Sequence, residues 1–165
     1  MAHNPSAITY PVQLDPEPGG GFTVSFPDFF RDGHSGGYSC GDTREEALTQ
    51  AGDLLETIVA NHLAEGWEVP PPSPARGRPL VPPAPLVAIK VELYRAMRAA
   101  GITKAELARR MGIAPQQAQR LFDTNHASRI DQLAAAFAAL GRRLVITSEA
   151  AGAAALNARP PRVRD

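Results

Sequence analysis

A short polar run after Pro115 carries the side chains best suited to reading DNA bases. A glutamine amide can pair with N6 and N7 of adenine, and an arginine guanidinium can pair with O6 and N7 of guanine. Proline is favoured at the first position of a helix, so the run is expected on the exposed face of a short helix that enters the major groove. The base-reading candidates are Gln116, Gln117, Gln119 and Arg120.

Three other polar residues near this helix are suited to DNA phosphates. Lys104 lies at the start of the preceding helix, whereas Asn125 and Ser128 lie at or near the start of the following one, where backbone N–H groups favour anions. Residues 90–147 carry 10 basic and 4 acidic side chains. This positive stretch is expected to face a polyanion, and operator DNA is the partner that the residue types favour.

The segment GITKAELARRMGIAPQQAQRLFD, which begins at Gly101, predicts two helices joined by a tight turn. Thr103 with Glu106 three residues later is a helix-capping pattern, and Gly112 suits the turn. The pattern is typical of a helix-turn-helix and resembles the phage-repressor-like (XRE/Cro) family. Five apolar residues are expected to fix the crossing of the two helices: Leu107, Met111, Ile113, Ala118 and Leu121.

Further elements complete this all-α half. A preceding helix is expected to end at Gly101, Ser128 is expected to cap a following helix that buries Phe137, and residues 144–147 predict a short strand. One helix-turn-helix buries too little surface for a tight operator complex, so a dimer or higher homo-oligomer is expected. The 144–147 strand, the Phe137 face and the N-terminal sheet are the candidate contacts between copies.

An excess of acid marks the first 69 residues, which carry 11 acidic side chains against 2 basic ones. Clustered carboxylates can hold metal ions, but a two-metal nuclease needs them to converge from a central strand. The first predicted strand, YPVQL, contains no acid, and the four histidines lack metal-ligand spacing. The sequence therefore predicts no catalytic residue, no metal site and no enzymatic activity.

The elements that position these acids predict an α+β fold. Residues 10–14 and 22–26 alternate apolar and polar side chains, a third short strand is expected near Tyr38, and a capped helix runs from Thr43 to Gly66. An antiparallel sheet with one long helix resembles a partial ribonuclease H fold, without that fold's catalytic acids. The expected division is a first domain at 1–69, a proline-rich linker at 70–89, a helix-turn-helix domain at 90–147 and a flexible tail at 148–165.

Two motifs in the first unit resemble the N-terminal domain of HicB-type antitoxins. One is a Tyr-Pro strand followed by a Gly-Gly-aromatic strand ending in Phe-Pro-Asp, and the other is a Gly-Asp-Thr start to an acid-capped helix. A helix-turn-helix after a proline-rich linker is one of two DNA-binding tails known in that family. The loop FFRDGHSGG departs from the family, which more often has Pro-Gly there. The matching residues are Tyr10, Pro11, Gly20, Gly21, Phe22, Val24, Phe26, Pro27, Asp28, Gly41, Asp42, Glu45, Glu46, Ala47 and Leu48.

The resemblance implies a function with two partners. HicB-type antitoxins bind HicA, a small basic ribonuclease toxin, and the complex represses its own operon. Acidic side chains suit a surface that covers a basic toxin. The single cysteine and the absence of an apolar span or a secretory leader favour a cytoplasmic protein with no membrane partner. The candidate toxin contacts are Asp28, Asp32, Asp42, Glu45 and Glu46.

Two other functions are compatible with the sequence. A stand-alone helix-turn-helix regulator with a ligand-sensing first domain explains the second half equally well. A neighbouring reading frame for a small basic protein would favour the antitoxin, and its absence would favour the regulator. A nuclease related to ribonuclease H is the other alternative, and metal-dependent RNA cleavage that is lost in Asp28→Ala would support it.

Overall fold

The first half of the protein consists of short antiparallel strands around one long helix, in a computed structural model that describes residues 8–30 and 36–148. Its elements are β1 Tyr10–Pro11, β2 Gln13–Pro16, β3 Phe22–Ser25, a 3-10 helix at Pro27–Phe30, β4 Tyr38–Gly41, α1 Arg44–Glu65 and β5 Leu80–Val81. Strands β2, β3 and β4 form one sheet in that order, whereas β1 and β5 pair separately. The described part therefore has the α+β fold class expected from the sequence.

The first predicted strand is divided between the two sheets. β1 pairs with β5, which comes from the proline-rich segment, and β2 pairs with β3. The partner changes at Val12, whose N–H donates to the carbonyl oxygen of Pro79 at 2.9 Å. The prediction of one continuous strand over residues 10–14 is therefore wrong. Pro11 has no N–H to donate, and the proline-rich segment offers a different neighbour at this point.

Strands β2 and β3 form the predicted hairpin. The N–H of Glu17 donates to the carbonyl of Gly21, and the N–H of Gly20 donates back to the carbonyl of Glu17, both at 3.0 Å. Gly20 and Gly21 have φ angles of 95° and 89°, which side chains with a Cβ rarely adopt. The third predicted strand is confirmed as β4, which pairs antiparallel with β3.

Helix α1 begins and ends where the capping residues predict. The hydroxyl of Thr43 accepts from the N–H of Glu46 at 3.1 Å, and Gly66 ends the helix with a φ of 76°. Strand β4 lies directly against the first turn, since a Cβ on Gly41 would sit 2.4 Å from the backbone nitrogen of Ala47. The buried face comprises Ala47, Ala51, Leu55, Ile58, Val59, His62 and Leu63.

The second half is helical, as predicted. Its elements are α2 Pro85–Ala99, α3 Lys104–Met111, α4 Pro115–Arg120 and α5 Ile130–Ala139. Gly101 follows α2 with a positive φ, and Gly112 ends α3 in the left-handed region. The hydroxyl of Thr103 accepts from the N–H of Glu106 at 3.2 Å, which confirms the predicted cap of α3.

Two predicted details of this half are wrong. Arg129, and not Ser128, is the residue before α5, and no side-chain hydrogen bond caps that helix. Ser128 is buried and donates to the carbonyl oxygen of Arg120 at 3.3 Å instead. Residues 144–147 form no strand, and Val145 and Ile146 are exposed. A strand needs a neighbour for its backbone hydrogen bonds, and the described chain places none beside this segment.

The two halves share one continuous apolar core. Buried residues of the sheets and α1, such as Val12 and Leu63, belong to the same cluster as Leu93 of α2 and Phe137 of α5. Helix α2 begins within the proline-rich stretch, at Pro85, and packs against α1 and α5. Among the described helices, none is long and apolar enough to cross a membrane.

Candidate functional site

Helix α4 presents most of its polar residues to solvent. Gln116, Gln119 and Arg120 are exposed, whereas Ala118 is buried against the core. Gln117 is also exposed, but its Oε1 accepts from the N–H of Ala114 at 3.0 Å and so ties the side chain to the start of the helix. The predicted base-reading residues thus share one short helix, and one of them also has a structural role.

Lys90 of α2 holds the chain that follows α4. Its side chain is fully buried, and its Nζ donates to the carbonyl oxygens of Arg120 at 3.3 Å, Asp123 at 2.5 Å and His126 at 2.6 Å. Burial lowers the pKa of Lys90 to about 8, and the carboxylate of Asp123 opposes this shift. Sequence reasoning missed this residue. The available signal was a lysine at a core position of the helical stripe that includes Val87 and Tyr94.

Helix α3 carries a compact charged cluster next to α4. Glu106 accepts two hydrogen bonds from Arg109, at 2.7 and 2.8 Å, and one from Arg110 at 3.1 Å. These bonds hold the pKa of the Glu106 carboxyl at about 2. The two arginines remain exposed, so the cluster keeps a net positive charge toward solvent.

The predicted phosphate contacts divide into inward and outward residues. Lys104 is half-buried, donates to the carbonyl oxygen of Leu63 at 3.0 Å, and lies 5.3 Å from the centroid of the Phe122 ring. Burial lowers its pKa. Ser128 points inward, as described above, whereas Asn125 is exposed. The side chains of Lys104 and Ser128 are therefore directed toward backbone carbonyls of the protein.

Basic side chains of the second half bind the C-terminal end of α1. Arg98 donates to the carbonyl of Gly66 at 2.9 Å, and Arg95 donates to that of Pro70 at 2.7 Å. Together with Lys104, they lie at the end of α1 where unpaired carbonyls concentrate negative charge. Arg95 also donates to the hydroxyl of Tyr10, whose pKa burial raises to about 12. The sequence did not reveal that these cations bind backbone carbonyls of the protein.

The five candidate toxin contacts lie in different environments. Asp28 is buried, and its Oδ2 accepts from the N–H of Ser73 at 3.0 Å, so it fixes the proline-rich segment. Asp42 and Glu45 are exposed near the start of α1. Glu46 is exposed too, but its Oε2 accepts from the N–H of Asp42 at 3.0 Å. Asp32 lies outside the described residues.

The described residues form no group of three or more His, Cys, Asp or Glu side chains that could hold a metal ion. His62 lies on the buried face of α1, and its Nδ1 contacts the carbonyl oxygen of Glu68 at 2.7 Å. The rings of Phe29 and Trp67 flank it. His62 therefore belongs to the aromatic core under the sheet.

Comparison with known proteins identifies the class. A family model described as HicB_like antitoxin of bacterial toxin-antitoxin system matches residues 9–92. The chain is 37% identical over 142 residues to Antitoxin HicB 1 of Photorhabdus laumondii, covering 86% of this chain and 88% of that protein. It is 39% identical over 138 residues to Antitoxin HicB of Escherichia coli strain K12, and the alignment covers 83% of this chain and 96% of that protein. Antitoxin HicB of Pseudomonas fluorescens is 38% identical over 117 residues, and the alignment covers 69% of this chain and 80% of that protein.

These matches define the protein as an antitoxin of a bacterial toxin–antitoxin system. The chain belongs to the HicB-like antitoxin family. Family membership confirms the resemblance of the N-terminal motifs, and it also confirms that the protein is not an enzyme.

Proposed function

We propose that the protein neutralises a HicA-like ribonuclease toxin through its first domain and represses its own operon by binding operator DNA through α4. The observation that carries this proposal is the extent of the similarity. The relatives from Photorhabdus laumondii and Escherichia coli align over 83–86% of the chain, so the alignment includes the helical half as well as the strands. Such coverage favours the antitoxin over a stand-alone regulator.

The DNA-binding part of the proposal rests on the geometry of α3 and α4. A capped helix, a left-handed Gly112 and a short second helix have the form of a helix-turn-helix, with Leu107, Ala118 and Leu121 buried between them. The second helix in such a unit enters the major groove with its N-terminal residues near the bases. Gln116, Gln119 and Arg120 are exposed at this position, and Arg110 and Arg129 are exposed nearby for phosphates.

The toxin-binding part rests on the exposed acids at the start of α1. In the proposed partial ribonuclease-H-like domain, Asp42, Glu45 and Glu46 present negative charge to solvent beside the edge strand β4. An anionic surface accelerates association with a cationic partner and competes with RNA for it. Asp28 has no place in this surface because it is buried under the proline-rich segment.

The protein is proposed to act in the cytoplasm as a dimer or a higher oligomer. Two helix-turn-helix units about 34 Å apart read two half-sites of an operator. Of the three candidate contacts, the Phe137 face is packed inside the core. The exposed Val145 and Ile146 and the exposed Tyr38 on edge strand β4 remain for a contact between copies.

The double substitution Gln116→Ala with Arg120→Ala tests the separation of the two activities. We expect loss of binding to DNA from the region upstream of the gene, because base contacts of this type are worth about 1–3 kcal/mol each. The variant should still co-purify with the toxin. Gln50→Ala, a polar residue of α1 far from α4 in sequence, is the control variant. Loss of both activities in the double variant would show that they do not occupy separate surfaces.

A further inference from the structure

Lys90 is a buried cation whose three hydrogen bonds all go to the segment behind α4. An ammonium group has three donors, and the three carbonyl oxygens of Arg120, Asp123 and His126 accept all of them. Burying a charged group is unfavourable unless it is fully hydrogen-bonded. The site meets that requirement with backbone atoms, so the ammonium fixes the position of the chain and not of another side chain.

We propose that Lys90 is a positioning residue that fixes the backbone of residues 120–126 and thereby orients the DNA-reading surface of α4. This inference rests on the proposed operator binding. It concerns a residue that contacts no DNA itself, since it lies on α2 inside the core.

Helix α4 needs such support because it is short. It has six residues, and a helix of that length is not stable without tertiary contacts. Ala118 and Leu121 bury its inner face, and Ser128 adds a second donor to the carbonyl of Arg120. Lys90 joins the last residue of α4 to the two turns that follow it. Loss of the ammonium removes one donor from each of the three carbonyls, which keep backbone N–H donors from within the segment. The segment then loses these hydrogen bonds to α2 and is expected to change position.

The positioning role of Lys90 predicts that DNA affinity depends on pH. Burial lowers its pKa to about 8, whereas the Asp123 carboxylate raises it; Arg120 and His126 contribute their carbonyl oxygens. Above that pH the neutral amine has two donors for three acceptors. Because the folded pKa lies below the ordinary value of 10.5, deprotonation of Lys90 favours the folded state as the pH rises between these values. DNA affinity should therefore fall while the thermal stability of the protein does not.

The experiment compares Lys90→Met with Arg98→Met in the full chain. Both variants remove one positive charge from α2, but Arg98 donates to the carbonyl oxygen of Gly66 and not to the segment behind α4. Binding to duplex DNA from the upstream region is measured together with hydrogen exchange of the amides of residues 121–128. We expect Lys90→Met to weaken binding by about tenfold or more and to accelerate exchange in this segment, because its three hydrogen bonds to α2 are lost. Arg98→Met should change affinity by less than about threefold.

The pH titration of the unsubstituted protein is the second measurement, and it remains informative if Lys90→Met fails to fold. Affinity that falls between about pH 7 and 9.5 without a drop in melting temperature supports the positioning role. Equal affinity of Lys90→Met and the unsubstituted protein, or affinity that does not change with pH, would overturn it. If the unsubstituted protein does not bind the DNA, the proposed operator binding fails. If it binds and Lys90→Met binds equally well, the positioning role alone fails.

Discussion

The junction between the two halves and the surface around α4 use basic side chains in opposite ways. Of the ten basic residues between 90 and 147, four donate to backbone carbonyls of the protein: Lys90, Arg95, Arg98 and Lys104. Arg98 is exposed, whereas the other three of these are buried or half-buried, and the remaining six basic residues are exposed. They are Arg109, Arg110, Arg120, Arg129, Arg142 and Arg143.

The difference shows that net charge overstates the size of a binding surface. Three of the four carbonyl-binding cations contact the C-terminal end of α1 and the chain after it, where they offset the negative end of the helix dipole. These contacts join the N-terminal unit to the helices of the second half. The proline-rich segment contributes to this junction, since β5 pairs with β1 and the N–H of Ser73 donates to Asp28.

The largest expected effect comes from breaking the junction at Arg95. Its Nη2 lies within hydrogen-bond distance of the Tyr10 hydroxyl and of the carbonyls of Val69 and Pro70. Arg95→Ala removes these hydrogen bonds and leaves only the Tyr10 hydroxyl to donate to Pro70, so we expect the free energy of unfolding to fall by about 2 kcal/mol. Urea denaturation measures this free energy of unfolding. Arg109→Ala, on the exposed side of α3, should change it by less than about 0.5 kcal/mol. Equal effects of the two substitutions would contradict the division into inward and outward cations.

The acidic residues of the first half are also expected to divide into a buried one that stabilises the fold and exposed ones that do not. Asp28→Ala should lower the free energy of unfolding by about 1–2 kcal/mol, because the buried N–H of Ser73 loses its acceptor. The variant should bind the toxin with unchanged affinity, as measured by titration calorimetry under conditions where it is folded. Glu45→Ala should leave stability unchanged. A loss of toxin affinity in Asp28→Ala alone would show that the buried acid, and not the exposed group, meets the toxin.

Reversal of the exposed acids should weaken toxin binding in a salt-dependent way. Asp42→Lys with Glu45→Lys places two positive charges where the proposed surface meets a basic toxin. The loss of affinity should be greatest at low ionic strength and should diminish as salt screens the charges. A loss that does not change with salt would assign these residues a contact that is not electrostatic.

The smallest expected effect concerns the exposed cluster on α3. The pKa of Glu106 lies at about 2, below its ordinary value of 4.5, because Arg109 and Arg110 donate to the carboxylate. A lowered pKa means that this cluster stabilises the fold above pH 4.5 and that the contribution is lost as the pH falls toward 2. In acid unfolding monitored by circular dichroism, Glu106→Gln should remove a small part of the pH dependence in that window. An unchanged profile would mean that solvent screens the cluster completely.

Local signals predicted much of this structure. Thr43, Thr103, Gly66 and Gly112 are capping residues whose effect depends on their own helix, and each one marks a helix end as expected. The partners in the β1–β5 pairing lie about seventy residues apart, so the sequence does not show which strand the proline-rich segment meets. Such a pairing depends on how the whole chain packs.

The candidate site was harder to predict for the same reason. Gln116 and Arg120 are exposed because a six-residue helix with one buried alanine leaves its other face to solvent. The direction of a long basic side chain is set by which carbonyls lie within reach, and the sequence does not show this for Lys90, Arg95 or Lys104. The burial of Asp28 likewise depends on the return of the proline-rich segment to the sheet.

The most direct test of the account is inhibition of the toxin itself. A HicA-like ribonuclease toxin is purified and its cleavage of RNA is followed while this antitoxin is added. The account predicts a stable complex on gel filtration and loss of cleavage at a stoichiometric amount of the antitoxin. Undiminished cleavage in the presence of an excess of folded antitoxin would contradict it.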